Sequence, residues 1–332
     1  MSKEIKWLGW DLSTTSLTAI GRTEDGQEVF ASVPMRGKTT LEGQPAHDLN
    51  EVPGMMQEVL EQIEAQGFSF AEKGVICFSV RQHDMGAYDA LGNPLVSALS
   101  WEFELDPLEG IEEREMLRSQ GFERIVGPIN KRFLTPKLMW LLKLLPDLRQ
   151  NIKAVMLTAD WIGYMLTGIA RTSTSDGMSN AILTLNKKLA TEVLKWAGFD
   201  LSWFPEPIQS GQVVGYIQEP KGDAWDPVKK RLAGWDYRAG LGDNDAGARG
   251  SGLDDFVTII MSFGSSGTVT RIARTLAALA GNALTFEYFH HCLLLNMLEN
   301  CANWYDKFIR NNPEANKLNY DQLNDLAQGI YT

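Results

Sequence analysis

Apolar residues recur along this chain at two different periods, and the switch between them separates the predicted elements. Near the start, a mostly apolar run from Ile5 to Trp10 and a second from Leu17 to Gly21 flank the polar stretch Ser13-Thr14-Thr15-Ser16. Two such runs around a short turn predict a β-hairpin, with Asp25-Gly26 as the next turn. From Val52 to Ile63 the spacing changes: Val52, Met55, Met56, Val59, Leu60 and Ile63 fall on one helical face. The short apolar run Val75-Ile76-Cys77-Phe78-Ser79-Val80 reads as a buried strand that ends at Gln82-His83. Further helices are predicted from Pro107 to Gln120, from Lys137 to Leu145 with Pro146 as the stop, and from Leu183 to Ala197, ended by Gly198. The section from Pro220 to Gly240, rich in Gly, Pro, Trp and charge, predicts a connection to a second unit that begins in earnest at Val257-Thr258-Ile259-Ile260-Met261. No repeat of solenoid period is found.

With 332 residues, 44% of them hydrophobic, the chain can bury at least one large core and is expected to divide into two domains. A formal net charge of −11 argues against nucleic acid and anionic membranes as partners, because phosphate surfaces require a basic footprint. The most apolar stretch, Leu284 to Leu298, is interrupted by Glu287, His290, His291 and Asn296, so no membrane span is expected. Three cysteines, Cys77, Cys292 and Cys301, have neither disulfide-framework nor zinc spacing, which together with the polar start Met1-Ser2-Lys3-Glu4 leads us to expect a cytoplasmic protein. His290-His291-Cys292 looks like a metal site at first sight. Adjacent side chains diverge on both strands and helices, however, and the bland reading is preferred.

Two distant stretches carry the chemistry. Gly9-Trp10-Asp11-Leu12-Ser13-Thr14-Thr15-Ser16 places a carboxylate beside a hairpin tip of hydroxyls and backbone N–H groups, which can cradle phosphate while Asp11 holds Mg²⁺ through water. Gly240-Leu241-Gly242-Asp243-Asn244-Asp245-Ala246-Gly247-Ala248 places Asp243 among residues small enough for close approach of a substrate, where it can accept the proton of an attacking hydroxyl. Asp245 is expected to satisfy backbone donors.

Here the sequence resembles the FGGY carbohydrate kinases, within the superfamily of sugar kinases, actin and heat-shock ATPases. Further segments agree in order over nearly the whole chain. Ser79-Val80-Arg81-Gln82-His83-Asp84-Met85 with Asp89-Ala90-Leu91-Gly92-Asn93-Pro94-Leu95 looks like the family's sugar-binding strand and turn, and Pro136-Lys137-Leu138-Met139-Trp140 like its Pro-Lys-x-x-Trp signature. Asp160-Trp161-Ile162 with Leu166-Thr167-Gly168 and Ser175-Asp176 is similar to the segment that follows. Ser210-Gly211-Gln212-Val213-Val214-Gly215 resembles the strand leading to the catalytic Asp, and Phe263-Gly264-Ser265-Ser266-Gly267-Thr268 a second phosphate loop.

The resemblance implies an α/β, actin-like (ribonuclease H-like) fold of two domains with a cleft between them. Residues 1–250 would form the amino-terminal sugar-binding domain and 251–332 the start of a nucleotide-binding domain that is incomplete. The implied activity is ATP- and Mg²⁺-dependent phosphorylation of a ketose hydroxyl, with xylulose or a related ketopentose preferred because His83 resembles xylulose kinases. Asp243 would be the base; Gln82, His83, Trp101, Arg132 and Asn244 would bind the sugar; Asp11 would anchor the metal. Ser13, Thr14 and Thr15, and across the cleft Gly264, Ser265, Ser266 and Gly267, would line the phosphates. Arg132 departs from the family, which often has an aromatic residue or glycine there, and Gln82 departs from the xylulose kinase pattern. The alternative is a non-catalytic sugar-binding or regulatory module that lost nucleotide binding, and in either case a homodimer is compatible. The isolated chain is expected to show little turnover, with Ile259, Met261, Leu293, Leu295 and Trp304 short of packing partners.

Overall fold

The computed structural model describes residues 3–103, 110–263, 267–273, 284–288, 291–298 and 317. The first half contains β1 (Glu4–Leu12), β2 (Ser16–Thr23), β3 (Glu28–Pro34), β4 (Lys38–Leu41), β5 (Gln44–His47), α1 (Val52–Ala65), β6 (Ser69–Val80), β7 (Met85–Tyr88), β8 (Ala98–Leu99), α2 (Gly110–Ser119), α3 (Glu123–Val126) and α4 (Leu134–Leu144). Then follow β9 (Ala154–Leu157), α5 (Thr158–Thr167), β10 (Arg171–Ser173), α6 (Thr174–Met178), α7 (Thr191–Trp196), β11 (Glu206–Ile208), β12 (Val213–Tyr216), α8 (Asp226–Leu232), β13 (Asp236–Gly242) and α9 (Asp243–Gly250). A last group comprises β14 (Ile260–Phe263), β15 (Gly267–Ala273), β16 (Leu284–Tyr288) and β17 (His291–Leu298).

The largest sheet has the order β12-β13-β6-β1-β2-β3. β1 and β2 form the predicted hairpin, Trp10 opposite Ala19 and Leu12 opposite Leu17. β1, β6 and β13 run parallel, with Leu12 opposite Val80 and Val80 opposite Gly242. Their carboxyl ends therefore lie side by side, and open α/β sheets bind ligands at such ends. On one face of this sheet Ile5, Leu8, Trp10, Leu12, Ile76 and Phe78 pack in a single cluster with residues of α1, α5 and α8. The α1 stripe read from the sequence is wholly buried there, each side chain contributing roughly 1.5–3 kcal/mol. Trp10 stacks on Phe78 with ring centroids 5.6 Å apart. The opposite face leaves Trp7, Ile20 and Phe30 exposed. Among the described residues no helix is long and apolar enough to cross a membrane.

Three expectations are corrected. The section from Pro220 to Gly240 is no connection: it folds into α8 and β13, and β13 pairs with β6 inside the main sheet. Its Trp and charged residues serve that packing, since Trp225 and Trp235 are buried in the core and the buried Lys229 reaches Asp223 at 2.8 Å. Helix from Leu183 onward begins only at Thr191. Leu183 instead bridges Leu189 around a turn in which Thr184 Oγ1 accepts from the Asn186 and Lys188 amides and Lys187 adopts a left-handed φ of 62°. Finally, Leu293 and Leu295 do not lack partners: they are buried in one cluster with Val126, Phe133, Ala248 and Ile272. Ile259 and Met261 are exposed as expected, and Trp304 lies outside the described residues.

Candidate functional site

Ser13, Arg81 and Asp243 each follow directly on one of the three parallel strands, so the hairpin tip, the end of β6 and the start of α9 converge. Two glycines make this convergence possible. A Cβ on Gly242 would lie 2.1 Å from the Gln82 side chain, and one on Gly240 would lie 1.8 Å from the Phe78 carbonyl oxygen. Gln82 thus occupies the space that a side chain at Gly242 would fill, and its Oε1 accepts from Asn244 Nδ2 at 2.9 Å. The end of β6 and the start of α9 are joined by that bond.

Asp243 begins α9 and reaches solvent, although the protein packed around it removes much of its hydration. Burial raises its pKa to about 6, with Asp11 and Asp84 adding to the rise, against the Asn244 amide 2.9 Å from Oδ1 and the Arg81 guanidinium. Asp11 is half-buried, and burial lifts its carboxyl above the ordinary range, partly offset by the Ser79 hydroxyl and Arg81. The negative charge of Asp11 adds to the rise at Asp243, and a divalent cation beside them would relieve that repulsion. Among the described residues no three His, Cys, Asp or Glu converge as a cage, so the residues fit a Mg²⁺ held by Asp11 through water and phosphate rather than by protein ligands alone.

The hairpin tip is organised by Ser13: its Oγ accepts from the Thr15 and Ser16 amides at 3.3 and 3.1 Å, and its own amide donates to the Ser16 carbonyl at 2.9 Å. Of the hydroxyls and backbone N–H groups expected at the tip, the Ser13, Thr15 and Ser16 amides are thus turned to the tip's own oxygens. Thr14 Oγ1 accepts from the Trp101 indole at 2.9 Å, and Arg132 lies 5.5 Å over the Trp101 ring. Trp101 thus ties the hairpin tip to Arg132. Gly264, Ser265 and Ser266 lie outside the described residues, and Gly267 opens β15.

Several residues that the sequence reading left without a role hold this arrangement. Arg81 donates to Asp84 Oδ2 at 2.5 Å and to the Ser13 carbonyl at 2.6 Å, and Asp84 Oδ1 accepts from the Trp101 amide at 2.7 Å. The fully buried Lys137 donates to the carbonyls of His83 and Ser100, the latter at 3.3 Å. Burial lowers its pKa to about 7. Asp245 accepts from the Ser175 hydroxyl, and this ties α9 to α6. His83 stands 3.3 Å from Asn180 Oδ1, its pKa brought down by burial to about 3. A signal for part of this existed in the charged pair Arg81 and Asp84, set directly after an apolar strand where charge needs a partner. Asn180 gave none. His291 packs edge-on against Phe256.

The sequence model of the FGGY family of carbohydrate kinases, N-terminal domain, matches residues 6–230. A xylulose kinase of Staphylococcus xylosus is 30% identical over 228 residues, 66% of this chain and 44% of that protein. One of Lactococcus lactis is 25% identical over 327 residues, 94% of this chain and 63% of the relative. The chain thus spans about half to two thirds of the length of these relatives. The crystal structure of xylulose kinase from Rhodospirillum rubrum superposes with a TM-score of 0.84 at 20% identity, over 97% of this chain and 66% of that one. This likeness shows the fold, an α/β sugar-kinase fold of the actin-like kind.

Proposed function

This chain belongs to the FGGY family of carbohydrate kinases, and from that premise we propose that it serves the transfer of a phosphoryl group from ATP to a hydroxyl of a ketose, xylulose or a related ketopentose. The observation that carries the reading is the convergence of Asp11, Gln82-His83 and Asp243-Asn244 at three adjacent parallel strand ends, with Asn244 bonded to Gln82. Residues 1–250 supply the sugar site, and 251–332 belong to the nucleotide side.

The chemistry asks for alignment, charge neutralisation and removal of one proton. Mg²⁺ held through water by Asp11 would supply the neutralisation. Gln82, His83, Asn244 and Arg132 bind and orient the sugar, with Trp101 beneath the guanidinium. Asp243 accepts the hydroxyl proton as the hydroxyl oxygen bonds to the γ-phosphorus and ADP departs. The hydroxyls of Ser13, Thr14 and Thr15, with the segment from Gly264 to Gly267, border the phosphates. Three cysteines without a pairing pattern accord with work in the cytoplasm.

The test is ADP formation dependent on added sugar, measured with D-xylulose, other ketoses and glycerol, in this chain and in any longer product of the same gene. Turnover highest with a ketopentose is expected. Glycerol outperforming every ketose would overturn the substrate, and sugar binding without ADP formation in either protein would favour the sugar-binding module.

A further inference from the structure

Asn180 lies in the turn after α6 and is fully buried. Its amide has three backbone partners. Nδ2 donates to the carbonyls of Gln82 at 2.7 Å and Asp176 at 2.8 Å, and Oδ1 accepts from the Leu134 amide at 3.0 Å. Turned over, the amide would set its oxygen against two carbonyl oxygens and its NH₂ against an N–H, so only one orientation satisfies all three. Oδ1 is therefore an acceptor, and the His83 Nδ1 that lies 3.3 Å away must be the protonated nitrogen. The ring is neutral, because burial opposes a second proton. One proton on Nδ1 leaves Nε2 bare, and none of the described residues donates to it. Phe133, at a ring distance of 5.1 Å, holds the tilt of the imidazole.

We propose that Asn180 is a positioning residue that locks His83 as its Nδ1–H tautomer and thereby sets specificity: the ligand atom meeting His83 Nε2 must be a hydroxyl that donates, while a carbonyl or carboxylate oxygen is excluded. The second half of this inference rests on the sugar-site reading above; the first does not. The physical basis of the exclusion is that two acceptors brought together in a desolvated site leave both unpaired, and sites built to bond a hydroxyl reject analogues lacking it far more strongly than apolar pockets reject a missing methylene. The same amide also anchors the Gln82 carbonyl, so one side chain aligns both polar residues at the end of β6.

Nitrogen-15 NMR of the histidine-labelled chain at pH 8 tests this, with His83→Gln identifying the resonance among the four histidines. Before any sugar is added, His83 is expected to carry its proton on Nδ1 and to leave Nε2 bare. Asn180→Ala should let the proton pass to Nε2 and weaken D-xylulose binding by about tenfold or more, the loss of one well-made hydrogen bond. Asn180→Asp keeps an acceptor oxygen towards His83 and should retain the tautomer. Adding D-xylulose to the unaltered chain should shift the Nε2 signal while the Nδ1 proton stays in place. A proton found on Nε2 in the unaltered chain, or an unchanged tautomer in Asn180→Ala, would overturn the positioning role. Saturation with D-xylulose that leaves Nε2 unmoved would overturn the specificity. The expected tautomer with no response to D-xylulose anywhere would sustain the positioning role and remove the substrate reading instead.

Discussion

The carboxylate of Asp243 feels two opposing influences, and their balance sets a measurable pH dependence. Its place at the start of α9 and the Asn244 amide favour the charged form, whereas burial, Asp11 and Asp84 favour the neutral one and bring the pKa to about 6. A base works deprotonated. Activity should therefore be full above that pKa and fall as pH drops through about 6. Asp243→Ala should lower kcat by about 10²–10⁴-fold, the usual worth of a positioned base, while binding of the sugar survives. An unchanged kcat would end the assignment. The strand-end places of Asp11, Gln82, His83 and Asp243 were legible in the sequence, because each sits at a junction of an apolar run and small or polar residues, whereas a sugar-binding role for Gln82 and His83 came from the family resemblance. The contacts of Asn180 and Lys137 were not, although Lys137 stands in the Pro-Lys-x-x-Trp signature: their partners lie 97 and 54 residues away, beyond the reach of a local pattern.

Helix α5 and strand β10 are joined at Asp160, which accepts from Thr172 Oγ1 at 2.7 Å and from the Ser173 amide at 3.4 Å. Burial outweighs these bonds and raises its pKa to about 7. A carboxyl whose folded pKa exceeds its unfolded value binds more protons when folded, so its contribution to stability is greatest at low pH and declines as pH rises from about 4 to 7. Asp160→Asn removes the titration while keeping an acceptor for Thr172. The variant should therefore gain on the unaltered chain by a few kcal/mol between pH 4 and pH 7, measured by denaturant unfolding at each pH. Parallel slopes for the two proteins would refute it. The contrast between elements is instructive here. The opening hairpin and α1 followed from periodicity, since one buried face imposes a period on the sequence. The Leu183 to Ala197 segment misled because Thr184 and Lys187 build a turn from side-chain bonds that leave the apolar spacing intact. β13 was hidden for a related reason: Gly240 and Gly242 make room for Phe78 and Gln82, and Arg238 reaches the Gly211 carbonyl, none of which follows a strand pattern.

The four strands from Ile260 to Leu298 would stand as an unsupported piece if the chain were read only as one domain followed by a fragment of another. Their packing argues otherwise. Leu293 and Leu295 share a buried cluster with Val126 of α3, Phe133 ahead of α4, Ala181 beside Asn180 and Ala248 of α9. The cluster therefore connects this sheet to the turn that orients His83 and to the helix that carries Asp243. Leu293→Ala should cost about 2–5 kcal/mol, as large-to-small changes in packed cores do, and the loss should appear in the whole protein's transition, followed alike by tryptophan fluorescence and by backbone circular dichroism. Ile259→Ala and Met261→Ala, at positions 57% and 56% exposed, should stay within about 0.5 kcal/mol of the unaltered chain. Two separate transitions, with Leu293→Ala moving only the weaker one, would mean that the sheet and the site fold independently and that the shared cluster contributes little to either.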